Sequence, residues 1–87
     1  MSGDTGTRRD LTMTAGFMVA DARGRLVGRV EGPMYGASPE QPDGLAIRFG
    51  VLRRRRLLLP AAAIAAIDDR TQVVGLLVDR EATRAYL

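Results

Sequence analysis

The side chains best suited to chemistry are ten carboxylates and thirteen basic residues, all arginine, because the chain contains no histidine and no cysteine. Without those two residue types, serine–histidine and cysteine–histidine nucleophiles are excluded, as is a zinc site built from them. Nearly all the acids lie in turns or tails, where aspartate usually supports backbone structure. We therefore expect no enzyme, no cofactor and no bound metal.

Two adjacent aspartates, Asp68 and Asp69, come closest to a metal-ligand pattern. They are followed by Arg70 and Thr71 and then by an apolar run, which is the setting of a hairpin turn. A turn explains the pair better than metal ligation does.

One charge run is present, formed by Arg53, Arg54, Arg55 and Arg56. At a hairpin tip it could bind phosphates, lipid headgroups or an acidic protein. It could also be a solvated turn that protects a strand end from aggregation, and we favour this interpretation. Nucleic-acid binding usually adds aromatic stacking platforms, but only Tyr35 and Tyr86 lie outside the predicted core, so it is the less favoured partner class.

The bulk composition bounds the architecture. Eighty-seven residues make one domain with a thin core and no disulfide, so sheet closure or dimerisation would be natural compensation. No apolar run approaches the roughly 20 residues that span a bilayer. Residues 1–14 are polar, without a signal-peptide core, and we expect them to be a flexible tail. We expect a cytoplasmic protein without membrane insertion.

Period-2 alternation and turn signals predict an all-β fold. A strand at 16–20, a turn at Asp21–Gly24 and a long strand at 25–35 form a hairpin, in which Leu26 and Val30 share the core face. Gly28 within that strand indicates a bend or a close backbone approach. Further strands are predicted at 45–49, 56–60, 64–67 and 72–78, with a short helical turn after Pro60 and a short helix at 80–86. For the alanine-rich residues 61–67, the sequence leaves helix and strand both open.

The order of these elements resembles PRC-barrel domains over about residues 15–83, within a single predicted domain that spans residues 15–87. The resemblance rests on the apolar strand Gly16–Val19, the Asp21–Gly24 turn, the Arg25–Val30 strand and the apolar strand Leu57–Pro60. It implies a small six-stranded β-barrel that serves as a non-catalytic interaction module. The family occurs in a photosynthetic reaction-centre subunit and in a ribosome-maturation factor. Two departures are Gly32-Pro33 directly after Glu31 and the plain alanine-rich segment 61–66.

Apolar residues outside the predicted core indicate an interaction surface. The last strand is apolar on both faces, and two apolar residues lie off the core phase of their strands. The predicted apolar interface comprises Met18, Leu58, Val74, Leu76 and Val78. Either this face meets another protein or a second copy, or the C-terminal helix covers it. The expected function is a self-associating protein–protein adaptor, a homodimer; the alternative is an RNA- or ribosome-associated accessory that binds through Arg53–Arg56.

Overall fold

The computed structural model describes residues 11–36, 39–50 and 54–86, which form a single six-stranded sheet with short 3₁₀ helices. The strands are β1 (Met18–Ala20), β2 (Leu26–Met34), β3 (Gly44–Phe49), β4 (Arg55–Pro60), β5 (Ile64–Asp68) and β6 (Val73–Leu76). The 3₁₀ helices are Leu11–Met13, Ala61–Ala63 and Arg80–Tyr86. The all-β fold, the helical turn after Pro60 and the short C-terminal helix are therefore confirmed.

The sheet has the strand order β4-β3-β2-β1-β6-β5. All neighbours are antiparallel except β1 and β6, which run parallel with Met18 opposite Val73. Strands β4 and β5 are the two edges, and within the described residues they do not pair with each other. The sheet is thus not closed into the predicted barrel. The ladder of β4 ends at Pro60, which has no backbone N–H to donate, and Ala61–Ala63 then carry the chain to the opposite edge.

The core lies on the inner face of this sheet. Its largest fully buried side chains are Leu45, Ile47, Leu57, Leu59, Ile64, Val19, Val74 and Thr14. Leu11 also belongs to the core cluster, and the Thr14 hydroxyl donates a 2.9 Å hydrogen bond to the Leu11 carbonyl. The packed domain therefore begins by residue 11, which corrects the predicted tail boundary at residue 14. Residues 1–10 lie outside the described residues.

The hairpin of β1 and β2 contains a register shift that the alternation rule does not foresee. Val19 pairs with Gly28, but the next residue, Ala20, pairs with Leu26. Two residues of β2 therefore pass one residue of β1, as in a β-bulge, and the side chains change faces there. Val27 packs against the core and Leu26 is exposed, so the predicted core position of Leu26 is wrong.

Gly28 is where β2 and β3 approach closely. A Cβ atom added at Gly28 would collide with the carbonyl oxygen of Arg48 and touch the side chains of Ile47 and Phe49. The predicted close approach at this glycine is therefore confirmed.

Candidate interaction surface

The predicted apolar interface divides between surface and core. Met18 and Leu58 are exposed, as their off-phase positions predict. Val74 and Leu76 are 0% and 3% exposed and belong to the core cluster, so they cannot offer their side chains to a partner. Val78 packs against the same core. The correction has a simple cause: a strand that is apolar on both faces has no period to show which face is buried.

Two arginines of the predicted run, Arg55 and Arg56, make contacts with other side chains of the same chain. Arg53 lies outside the described residues, and Arg54 is exposed just before β4. The guanidinium carbon of Arg55 lies 5.9 Å from the centre of the Phe49 ring, a cation–π contact. Arg56 forms an ion pair with Glu31, with its Nε 3.0 Å from Glu31 Oε1. Both Arg55 and Arg56 thus have a role in the fold, whatever they bind.

Three arginines that are distant in sequence become neighbours through the register of β2, β3 and β4. Arg29 on β2 pairs with Arg48 on β3, which pairs with Arg56 on β4. We call these residues the arginine row. The positive charges of paired arginines repel each other, and the negative charge of Glu31 offsets part of that repulsion. Its Oε2 accepts hydrogen bonds from Arg48 at 3.3 Å and from Arg56 at 3.0 Å.

Beside the arginine row, the outward face of β2–β4 forms an apolar depression that we call the outer groove. Two rows of residues that lie side by side across β2, β3 and β4 form this surface. The first row is Gly32, Ala46 and Leu58, and the second row is Met34, Gly44 and Pro60. One part, of about 360 Å³, is lined by Met34, Asp43, Gly44, Leu58, Leu59, Pro60 and Tyr86. A second, of about 220 Å³, is lined by Glu31, Gly32, Pro33, Met34, Ala46 and Arg56. The two depressions share Met34; the lining of the first includes Tyr86, and the lining of the second includes Arg56 of the arginine row.

The chain matches no protein-family model and no curated protein. The resemblance to PRC-barrel domains therefore stays a prediction that rests on the residues that carry it.

Sequence reasoning identified Leu58 and Arg56 in this surface but missed Met34, the alignment of Arg29 and Arg48 with Arg56, and the role of Glu31. The available signal was the outward phase of Arg48 in the alternation of β3. The missing information was the register, because Arg29, Arg48 and Arg56 become neighbours only when three strands are aligned.

Away from the groove, the buried carboxylate of Asp21 accepts several hydrogen bonds. Its Oδ1 accepts from the backbone N–H of Arg23 at 3.0 Å and of Arg25 at 2.7 Å. Its Oδ2 accepts from the Arg80 N–H at 2.7 Å and from Arg25 Nε at 2.9 Å. Burial by itself raises the pKa of Asp21, but the backbone N–H groups of Arg25 and Arg80 and the Arg25 guanidinium outweigh it and lower the pKa to about 2.

Arg25 connects the β1–β2 turn to the C-terminal 3₁₀ helix. Its two terminal nitrogens donate to the two carboxylate oxygens of Glu81 at 3.0 and 2.7 Å, a paired geometry. The hydrogen bonds raise the pKa of Arg25, and the same contact lowers the pKa of Glu81. Together with the Asp21–Arg80 bond, this pair attaches the chain's last helix to its first hairpin.

The turn at Asp68 is built from the same chemistry. Its Oδ1 accepts from the backbone N–H groups of Arg70 at 2.9 Å and Thr71 at 3.3 Å. These bonds lower the pKa of Asp68 and give its carboxylate a structural use. No group of three or more acidic side chains in the described residues is arranged to hold a metal ion.

The helices offer no membrane span. Within residues 11–36, 39–50 and 54–86, no helix has the length and apolar character needed to cross a bilayer.

Proposed function

We propose that this chain is a non-catalytic protein–protein interaction module, an adaptor of the PRC-barrel type. The observation that supports this most directly is the outer groove: an apolar depression with exposed Leu58 and half-exposed Met34, bordered by the arginine row. An apolar centre with a polar rim is the usual anatomy of a protein-binding patch.

Three carboxylates with several hydrogen bonds have structural roles, which supports a binding function over a catalytic one. Asp21 holds two backbone segments together, Asp68 forms a turn, and Glu81 pairs with Arg25. A catalytic carboxylate usually has its pKa raised towards neutrality so that it can exchange a proton. The pKa shifts of these three acids run the other way, which suits permanent charges with structural tasks.

The test is affinity capture from a native lysate with the tagged full chain, beside a Leu58→Asp variant. Leu58 is exposed, so the substitution leaves the core intact. The proposal predicts that a discrete protein is retained by the parent chain, survives nuclease treatment, and is lost with Leu58→Asp. Retention of no protein by the parent chain would contradict it.

The second candidate is an RNA-associated accessory, which the arginine row favours. Neutralisation of phosphates by arginines would make binding fall steeply with salt concentration. A variant with serine at Arg53, Arg54, Arg55 and Arg56 tests it: captured material that disappears both with nuclease and with this variant would favour RNA over a protein partner.

A further inference from the structure

We infer that the outer groove binds an extended, acidic segment of a partner protein, with an apolar side chain between Met34 and Leu58 and a carboxylate at the arginine row. This inference rests on the proposed function and adds the chemistry of the partner.

The shape of the groove selects an extended chain. Its floor is β3, where the outward positions Gly44 and Ala46 carry little or no side chain, and its walls are Met34 on β2 and Leu58 on β4. The two wall strands are two strand spacings apart, about 9.6 Å between backbones. An α-helix is about 10–12 Å wide and would not enter between the walls, whereas a single extended chain would.

The length of the groove sets the length of the segment. From Gly44 to Arg48, the floor strand advances by about 14 Å. An extended segment of about five residues covers that distance.

The charge of the surface selects an acidic segment. Three arginines form the row, and Glu31 is the acid that lies among them. The Glu31 carboxylate already bridges Arg48 and Arg56 at 3.3 and 3.0 Å, so the spacing of these guanidiniums accommodates a carboxylate. A partner carboxylate can join or replace it there, while a basic segment would be repelled.

The lining of the two ends of the groove determines where the acidic residue of the partner segment should lie. Asp43 lines one end together with Pro60 and Tyr86, whereas Arg56 lines the other end, so the carboxylate of the partner belongs beside the arginine row. Side chains of an extended segment point to the same face only at even spacings. The apolar anchor and the carboxylate of the partner should therefore be two or four residues apart.

Charge also disfavours a second copy of this chain as the occupant. The chain carries a formal net charge of +3, and a second copy in the outer groove would have to place an acidic segment, not its own arginine row, against Arg48 and Arg56. A nucleic acid would satisfy the arginines but would leave the apolar half between Met34 and Leu58 without an anchor.

Selection from a displayed library of random twelve-residue peptides on the immobilised full chain tests the inference. We expect enriched peptides that carry Leu, Ile, Met or Phe with Asp or Glu two or four positions away. A synthetic copy of the most enriched peptide should lose about tenfold or more in affinity with Leu58→Asp. Leu77→Asp serves as the matched control, because Leu77 is an exposed leucine outside the groove, and it should bind like the parent chain.

The variant Glu31→Gln should raise the peptide affinity, whereas Leu58→Asp should lower it. The substitution removes the negative charge that Arg48 and Arg56 now contact and that would repel a partner carboxylate, so affinity should rise about two- to fivefold. A gain in affinity cannot result from misfolding, so this variant separates binding from stability.

Four results would overturn the inference: no enrichment, enrichment of basic or uncharged peptides, unchanged binding by Leu58→Asp, or no gain with Glu31→Gln. These failures are distinguishable from failure of the proposed function. If lysate capture still retains a nuclease-resistant protein, the chain is an interaction module that uses another surface or another partner chemistry.

Discussion

At the scale of single residues, charged side chains in this protein serve the backbone as much as the surface. Asp21 accepts hydrogen bonds from both sides of its own turn and from Arg80, which lies 59 positions away in sequence. Its side chain has no exposed surface, so its charge depends wholly on these donors. A single short acid thereby connects the hairpin to the C-terminal helix.

The first prediction concerns Asp21→Asn. The pKa of Asp21 is lowered from 3.8 to about 2, so the charged group stabilises the fold above about pH 4, and this contribution is lost as the pH falls from 3.8 towards 2. At pH 7 the variant should unfold several degrees below the parent chain, because an amide nitrogen cannot accept the bonds made to one carboxylate oxygen. Between pH 5 and 2, the variant should lose less stability than the parent chain does.

Thermal unfolding followed by circular dichroism across pH 2–7 measures both effects. Asp69→Asn is the control, since Asp69 is an exposed acid in a turn, and it should leave the pH profile unchanged. Equal acid sensitivity of the parent chain and Asp21→Asn would contradict the assignment.

At the scale of elements, β4 shows how alternation separates core from surface. Adjacent leucines on this strand differ completely in burial: Leu57 is 1% exposed and Leu58 is 46% exposed. Inward residues of β4 pack into the core, and outward residues form a wall of the outer groove.

The second prediction uses this pair of leucines. Leu57→Ala should reduce the free energy of unfolding by about 2–5 kcal/mol, because it leaves a cavity in a thin core. Leu58→Ala should change it by no more than about 0.5–1 kcal/mol, since nearly half of Leu58 is already exposed to solvent. Urea unfolding of the two variants measures the difference, and equal losses would contradict the observed phase of β4.

The third prediction concerns the close approach of β2 and β3. Gly28→Ala should destabilise the fold by about 1–3 kcal/mol, because the added methyl group collides with the Arg48 carbonyl, a backbone atom that cannot rotate away. Gly32→Ala is the matched control on the same strand, where an added Cβ meets nothing within 4 Å. If urea unfolding shows Gly28→Ala to be as stable as Gly32→Ala, the strands are not as close as described.

At the scale of the whole molecule, the sheet remains open at β4 and β5, and both edges carry features that oppose uncontrolled pairing. Strand β4 begins with Arg55 and Arg56 and ends at Pro60, while the β5–β6 ladder is irregular between Ile64 and Ala66. Charges, proline and bulges are the usual protections of an exposed edge. A homodimer is therefore better served by exposed side chains than by edge pairing.

The fourth prediction concerns that homodimer, which stays a prediction. Met18 and Leu26 are exposed and line one depression on the hairpin of β1 and β2, which Arg29 and Arg48 of the arginine row also line. If this patch joins two copies, light scattering should give twice the 9.4 kDa chain mass, and Leu26→Asp should return the monomer mass. Leu77→Asp, at another exposed leucine, should remain dimeric. A monomer mass of the parent chain throughout the micromolar range would exclude the dimer.

The sequence by itself determined the features that depend on neighbouring residues. Alternation located β3, an apolar run ending at Pro60 located β4, aspartates marked the turns at Asp21 and Asp68, and proline followed by alanines predicted the short turn after Pro60. These signals are local because turn geometry and strand period arise from adjacent backbone units.

Only the tertiary structure decided which face of the uniformly apolar β6 is buried, how Leu11 joins the core, and that the sheet stays open. It also decided the arginine row and the bond between Asp21 and Arg80, because both require segments distant in sequence to meet in one register. Pairing of distant strands depends on the packing of the whole chain, and a pattern of neighbouring residues does not contain it.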